Sequence, residues 1–97
     1  MDIDVLIVDD QRLVREGISS LLAIQEGINV VGVAENGQEA VEQALHLTPD
    51  IILMDVRMPI MDGIEAAIEI QKKLPACKML MLTTFDDDEY ILKSLSA

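Results

Sequence analysis

The chain is predicted to be an α/β protein with a doubly wound parallel sheet, and three features of its pattern say so. Short apolar runs alternate with stretches whose apolar residues recur at helical spacing. The joints between them are only a few residues long and rich in Gly, Pro, Asn and Asp. The apolar runs lack the in-out alternation of a half-solvated sheet, so each strand is expected to be covered on both faces, as parallel strands joined by helices are.

Residues 3–9 form the first expected strand. Residues 11–24 form a helix, because Val14, Ile18, Leu21 and Leu22 make one apolar stripe. Asp10 is the expected cap of that helix, and Glu26-Gly27 ends it. Ile28 to Val33 is β-rich and gives the second strand. Asn36 with Glu39 three residues on has the spacing of a capping box, so a helix runs from there to about Leu47. Val41, Ala44 and Leu45 are its expected inner face, and Thr48-Pro49 stops it. The third strand begins at Ile51 and ends at Asp55. Asp62 and Glu65 repeat the capping spacing before a third helix, with Ile64, Ala67 and Ile68 inward and Leu74-Pro75 as its stop. Lys78 to Leu82 is the fourth strand, ending at Thr83-Thr84. Asp86 and Glu89 open a last helix carrying Ile91, Leu92 and Leu95.

A chain of 97 residues makes one domain at most. Its 51% apolar content excludes a disordered chain. The net charge of -11 makes nucleic acid and anionic membrane poor partners for this segment, and cations and basic proteins good ones. The single cysteine, Cys77, permits no internal disulfide, which agrees with a cytoplasmic setting. No apolar stretch is long enough to span a bilayer, and no signal peptide is visible.

The chemistry concentrates in Ile51 to Gly63. A buried strand delivers Asp55 to its carboxyl end, and Met58-Pro59 and Asp62-Gly63 shape the loop beyond it. Val5 to Val8 does the same for Asp9 and Asp10. In open α/β sheets ligands bind at that rim. If the two strands are neighbours, the acids converge. Like charges that close repel, and an all-oxygen site relieved by a hard cation points to Mg2+.

These residues, with Thr83 at the end of the fourth strand, resemble a response-regulator receiver domain of the flavodoxin-like fold. The flavour is that of regulators carrying a NarL/LuxR-type helix-turn-helix output domain. The motifs occur in family order along the whole chain. The resemblance implies strand order 2-1-3-4, with the fifth strand, its lysine and the fifth helix beyond Ala97. It makes residues 1–97 a receiver domain incomplete at its C-terminus, with the DNA-binding output domain absent. It implies that Asp55 accepts a phosphoryl group from a sensor histidine kinase. Asp10 would hold Mg2+ directly and Asp9 through a water. Asp55 and the backbone carbonyl of Arg57 would complete the metal site. Thr83 would donate its hydroxyl to the phosphoryl group. Such a protein is a switch that assists its own phosphorylation and dephosphorylation, and it is not a turnover enzyme.

Three other readings compete. An aspartate-nucleophile phosphatase of the haloacid dehalogenase type needs a second acid two residues after the first, where Arg57 stands. A receiver-like interaction module would never take phosphate. A flavodoxin-like cofactor binder needs a Gly/Ser/Thr-rich loop where the chain has Asp9-Asp10-Gln11-Arg12. Elsewhere the ordinary roles suffice. His46 reads as a surface residue, Cys77 as a small half-buried one, the six methionines as core filler, and Asp86 to Glu89 as a solvated helix start. The apolar fourth strand, with Lys78 as its guard charge, is expected to promote self-association across its edge or by swapped elements. Salt would strengthen that by screening the net charge.

Overall fold

The structure is a computed structural model describing residues 2–82. The elements run β1 (Ile3–Val8), α1 (Arg12–Ala23), β2 (Ile28–Ala34), α2 (Gly37–Leu47), β3 (Ile51–Asp55), α3 (Gly63–Lys73) and β4 (Lys78–Leu82). Thr83 and the expected last helix lie outside the described residues.

All the strand pairs are parallel, in the order β2-β1-β3-β4 that the resemblance implied. Chirality then distributes the helices. The connection from β1 to β2 moves one way across the sheet, and those from β2 to β3 and from β3 to β4 move the other way. Right-handed crossovers therefore put α1 on one face and α2 and α3 on the other.

The face under α2 and α3 holds the main core. Leu6 and Val8 of β1 and Ile52 and Met54 of β3 pack there with Ala40 and Ala44 of α2 and Ala66 and Ile70 of α3. Val5 and Ile7 alternate onto the opposite face, and both are buried. No residue of α1 is fully buried. Val14, Ile18 and Leu22 are half-buried as one stripe, but Leu21 is 66% exposed. It sits at the edge of the stripe, beyond reach of the sheet.

The inner faces of α2 and α3 match the expected ones in part: Ala44 is buried, and Val41 and Ala67 pack against the core. Gly37, Ala40 and Ala44 are the buried residues of α2, and Gly63, Ala66 and Ile70 those of α3. Leu45 and Ile68, both expected inside, are exposed. The helices lie so close to their neighbours that small residues line the contact. Gly32 on β2 shows how close: a Cβ there would stand 2.8 Å from Leu47 Cδ1.

Two of the expected caps form. Asn36 accepts from the Glu39 N–H at 2.9 Å, and Asp62 from the Glu65 N–H at 2.8 Å. The cap of α1 is not Asp10. Gln11 occupies that position, without a side-chain hydrogen bond. The preceding acids are used otherwise.

Candidate functional site

The pairing of β1 with β3 aligns Val8 with Met54. The next residue on each strand is an acid. Asp9 and Asp55 thus leave adjacent strand ends side by side, and Asp10 follows. One carboxylate oxygen from each of Asp9, Asp10 and Asp55 lies within 4.8 Å of the others. The three acids singled out from the sequence are therefore brought together. Asp9 is 5% exposed, Asp55 half-buried and Asp10 open to solvent.

Burial and mutual repulsion shape this cluster. Removal from water pushes the Asp55 carboxyl up to about 6, the negative charge of Asp9 adds to the rise, and the main-chain N–H groups of Val56 and Arg57 oppose it. Burial also raises Asp9, against a hydrogen bond from the Gln11 N–H to its Oδ1 at 2.8 Å. Arg15 approaches from α1 and donates from Nη1 to the Asp9 carbonyl at 2.7 Å.

A stability prediction follows from the sign of the Asp55 shift. Its folded pKa lies above the ordinary 3.8, so between about 4 and 6 the folded chain binds the extra proton. Stability therefore falls as pH rises through that window. A shift from 3.8 to about 6 corresponds to about 3 kcal/mol, which solvent contact reduces to about 1 kcal/mol. In metal-free buffer, Asp55→Asn should match the parent near pH 4 and exceed it by about 1 kcal/mol at pH 7.5. Urea melts at the two pH values check this. A substitution equally neutral at both would mean that Asp55 is not strained by its neighbours.

The loop from Asp55 to α3 is fixed at several points. The Gly63 N–H donates to the Val56 carbonyl at 2.8 Å, and the Gly37 N–H to the Met61 carbonyl at 2.9 Å. A Cβ on Gly63 would stand 2.2 Å from the Asp55 carbonyl oxygen, and one on Gly37 2.3 Å from that of Met61. Both glycines are there for close approach of one backbone to another. Between them Ile60 has φ 72, and the Met61 N–H reaches back to the Pro59 carbonyl at 2.7 Å. That is a γ-turn centred on a β-branched residue, a strained choice. Ile60 is 76% exposed. With Asp10, Arg57, Met58, Asp62 and Glu65 it lines a shallow depression beside the acids.

Arg57 lies on this loop two residues past Asp55, with its side chain exposed. Thr83 lies outside the described residues, so its role rests on the sequence alone. Sequence reasoning missed Arg15 and Gly37. Asn36 reads as a helix cap; nothing local announces that Gly37 beside it would meet the loop after β3. Arg15 carries no local signal, because its partners Asp9 and Glu35 lie on other elements.

Comparison with known proteins points one way. Residues 5–97 match the family profile described as the response regulator receiver domain. The transcriptional regulatory protein LnrK of Bacillus subtilis (strain 168) is 50% identical over 93 residues, covering 96% of this chain and 42% of that protein. The chain thus spans less than half the length of that relative. A two-component response regulator of the LuxR family from Aurantimonas sp. SI85-9A1 superimposes with a TM-score of 0.87 at 32% identity, covering 99% of this chain and 69% of that one. A chain of the CheX–CheY–BeF3–Mg2+ complex from Borrelia burgdorferi gives a TM-score of 0.83 at 27% identity, covering 97% and 71%.

Proposed function

The chain belongs to the response-regulator receiver family, and from that premise we propose that Asp55 is its phosphoacceptor, loaded by a sensor histidine kinase with the help of Mg2+. The observation that carries this reading is the convergence of Asp9, Asp10 and Asp55 within 4.8 Å at the carboxyl ends of adjacent strands.

The donor set fits the ion. Three carboxylates offer only oxygen, the preference of Mg2+, and burial, with their mutual repulsion added, raises both Asp9 and Asp55 from the ordinary carboxylate value. Asp10 would hold the ion directly, Asp9 through a water, and Asp55 and the Arg57 carbonyl would complete the set. When bound, Mg2+ neutralises phosphoryl oxygens and lets an anionic donor approach. The CheX–CheY–BeF3–Mg2+ complex, one chain of which superimposes on this one, is consistent with that chemistry on this fold.

The residues do the rest. A carboxyl near 6 is mostly ionised at neutral pH, so Asp55 is available as a nucleophile. Its oxygen forms a bond to phosphorus as the bond from phosphorus to the kinase histidine breaks. The electron pair leaves with the imidazole. The product is an acyl phosphate on Asp55. The bonds from Gly63 and Gly37 pin the main chain of the loop that follows Asp55. Thr83 would donate its hydroxyl to the phosphoryl oxygens once they arrive. Residues 1–97 act as the receiver part of a regulator and pass the switch to a DNA-binding domain, in keeping with the name of LnrK.

The chain acts as a switch rather than a turnover enzyme, and it works in the cytoplasm. Among the described residues no helix is long and apolar enough to cross a membrane. Self-association across β4 belongs to the same reading, supported by Leu80, which is 56% exposed on that strand. Sedimentation that finds monomer at every protein and salt concentration removes it.

The Mg2+ assignment is tested by calorimetric titration. The chain should bind one ion, and Asp10→Ala should weaken binding by at least about tenfold, since one of few charged ligands is lost. Equal binding by both chains would remove the acidic cluster as the site.

A further inference from the structure

We propose that Arg15 is a positioning residue for the acidic pocket: its guanidinium locks the main chain that carries Asp9 and Asp10 and thereby sets the affinity for Mg2+. The proposal rests on the reading of the pocket as a Mg2+ site.

Arg15 sits in the first turn of α1, where its own N–H donates to the Gln11 carbonyl at 3.1 Å. Its side chain is only 13% exposed, although it belongs to a helix that buries no residue fully. The two ends of its fork go to different elements. Nη1 donates to the Asp9 carbonyl at 2.7 Å, and Nη2 stands 3.6 Å from Glu35 Oε1. One planar group therefore ties α1 to the end of β1 and to the residue just after β2. Glu35 directly precedes Asn36-Gly37, whose glycine N–H holds the Met61 carbonyl of the loop beyond Asp55. The guanidinium thus joins both sides of the rim.

The contrast with Arg12 shows why this contact matters. Arg12 pairs with Glu16 one turn on, but the two side chains are 80% and 59% exposed, and such a pair contributes little. Arg15 is largely desolvated and bonds a main-chain oxygen of the pocket itself. A lysine offers one ammonium centre and cannot reproduce a fork that reaches two elements.

The sign of the effect separates positioning from simple charge. Arg15 is a cation behind a cation site. If it acted only through its field, removing it would tighten Mg2+ binding. If it holds Asp9 and Asp10 in place, removing it weakens binding. Groups that orient metal ligands from behind typically change affinity by tenfold or more.

The test is Mg2+ titration of the chain, by calorimetry and by amide NMR of residues 9–11, at a temperature well below each variant's melting point. Arg15→Met should bind about tenfold more weakly. Arg15→Lys keeps the charge but not the fork and should recover only part of that loss. It serves as the deciding variant if the methionine chain does not fold. Glu35→Gln leaves the bond to Asp9 intact and should stay within about twofold. Unchanged or tighter binding in both Arg15 variants overturns the proposal, as does full recovery by lysine. Failure of the parent chain itself to bind Mg2+ would overturn the Mg2+ reading beneath it, a different and recognisable result.

Discussion

Replacing Gly63 by alanine should lower stability by about 3 kcal/mol, the upper end for an overpacked site. In a domain of this size that is a fall of about 15 °C in Tm. The new Cβ would stand 2.2 Å from the Asp55 carbonyl oxygen and 3.1 Å from Val56 Cα. Both are backbone atoms, so no side-chain rotation relieves the clash. Either α3 moves away from the end of β3, or Asp55 moves with its carbonyl. The first loses the contact between the Gly63 N–H and the Val56 carbonyl; the second displaces the Asp55 carboxylate from its place beside Asp9 and Asp10. Mg2+ affinity should therefore fall together with stability. Gly17 supplies the internal control. Nothing lies within 4 Å of a Cβ built there, in an exposed stretch of α1. Gly17→Ala should raise stability by about 0.5–1 kcal/mol, because alanine loses less backbone entropy in a helix. Thermal melts of the two chains decide the point. A Gly63→Ala chain that melts within a couple of degrees of the parent would show that the approach of α3 to Asp55 is looser than described.

The acids were legible in the sequence because each follows a continuous apolar run, and such a run has few places to go except a buried parallel strand. Asn36 and Asp62 were legible as caps for a similar reason: their signal is local. The strand order was not contained in the periodicity and came from family resemblance, since alternation of strand and helix fits several orders. The errors fall where distant parts of the chain meet. Leu45 and Ile68 were expected inside because they are large and apolar, but the space between helix and sheet admits Ala40, Ala44 and Ala66. Asp10 looked like a helix cap, whereas the turn after β1 hands that position to Gln11 and keeps Asp10 beside Asp9 and Asp55. Ile60 at φ 72 could not be anticipated, because a β-branched residue is among the last expected in that region. Its conformation is imposed by the bonds that pin both ends of the loop. Arg15 needed three elements to be assembled before its role was visible.

Phosphorylation should depend entirely on Asp55, and this is the largest effect expected. Asp55→Asn preserves the volume of the side chain and its place at the end of β3. It removes the anionic oxygen proposed to attack phosphorus, and an amide in its place is a far poorer nucleophile. Asp9 and Asp10 cannot substitute. Asp9 is 5% exposed and has one oxygen committed to the Gln11 N–H, and Asp10 follows the neighbouring strand end, where the proposed Mg2+ would engage it. The measurement uses a chain that continues through the lysine-bearing strand implied by the resemblance, incubated with acetyl phosphate and Mg2+. Intact-mass spectrometry then reads the adduct directly. The parent should carry a single phosphoryl group, lost when Mg2+ is chelated beforehand, and the Asp55→Asn chain should carry none. A phospho-adduct of equal strength on the Asp55→Asn chain would place the acceptor elsewhere and contradict the assignment of the site.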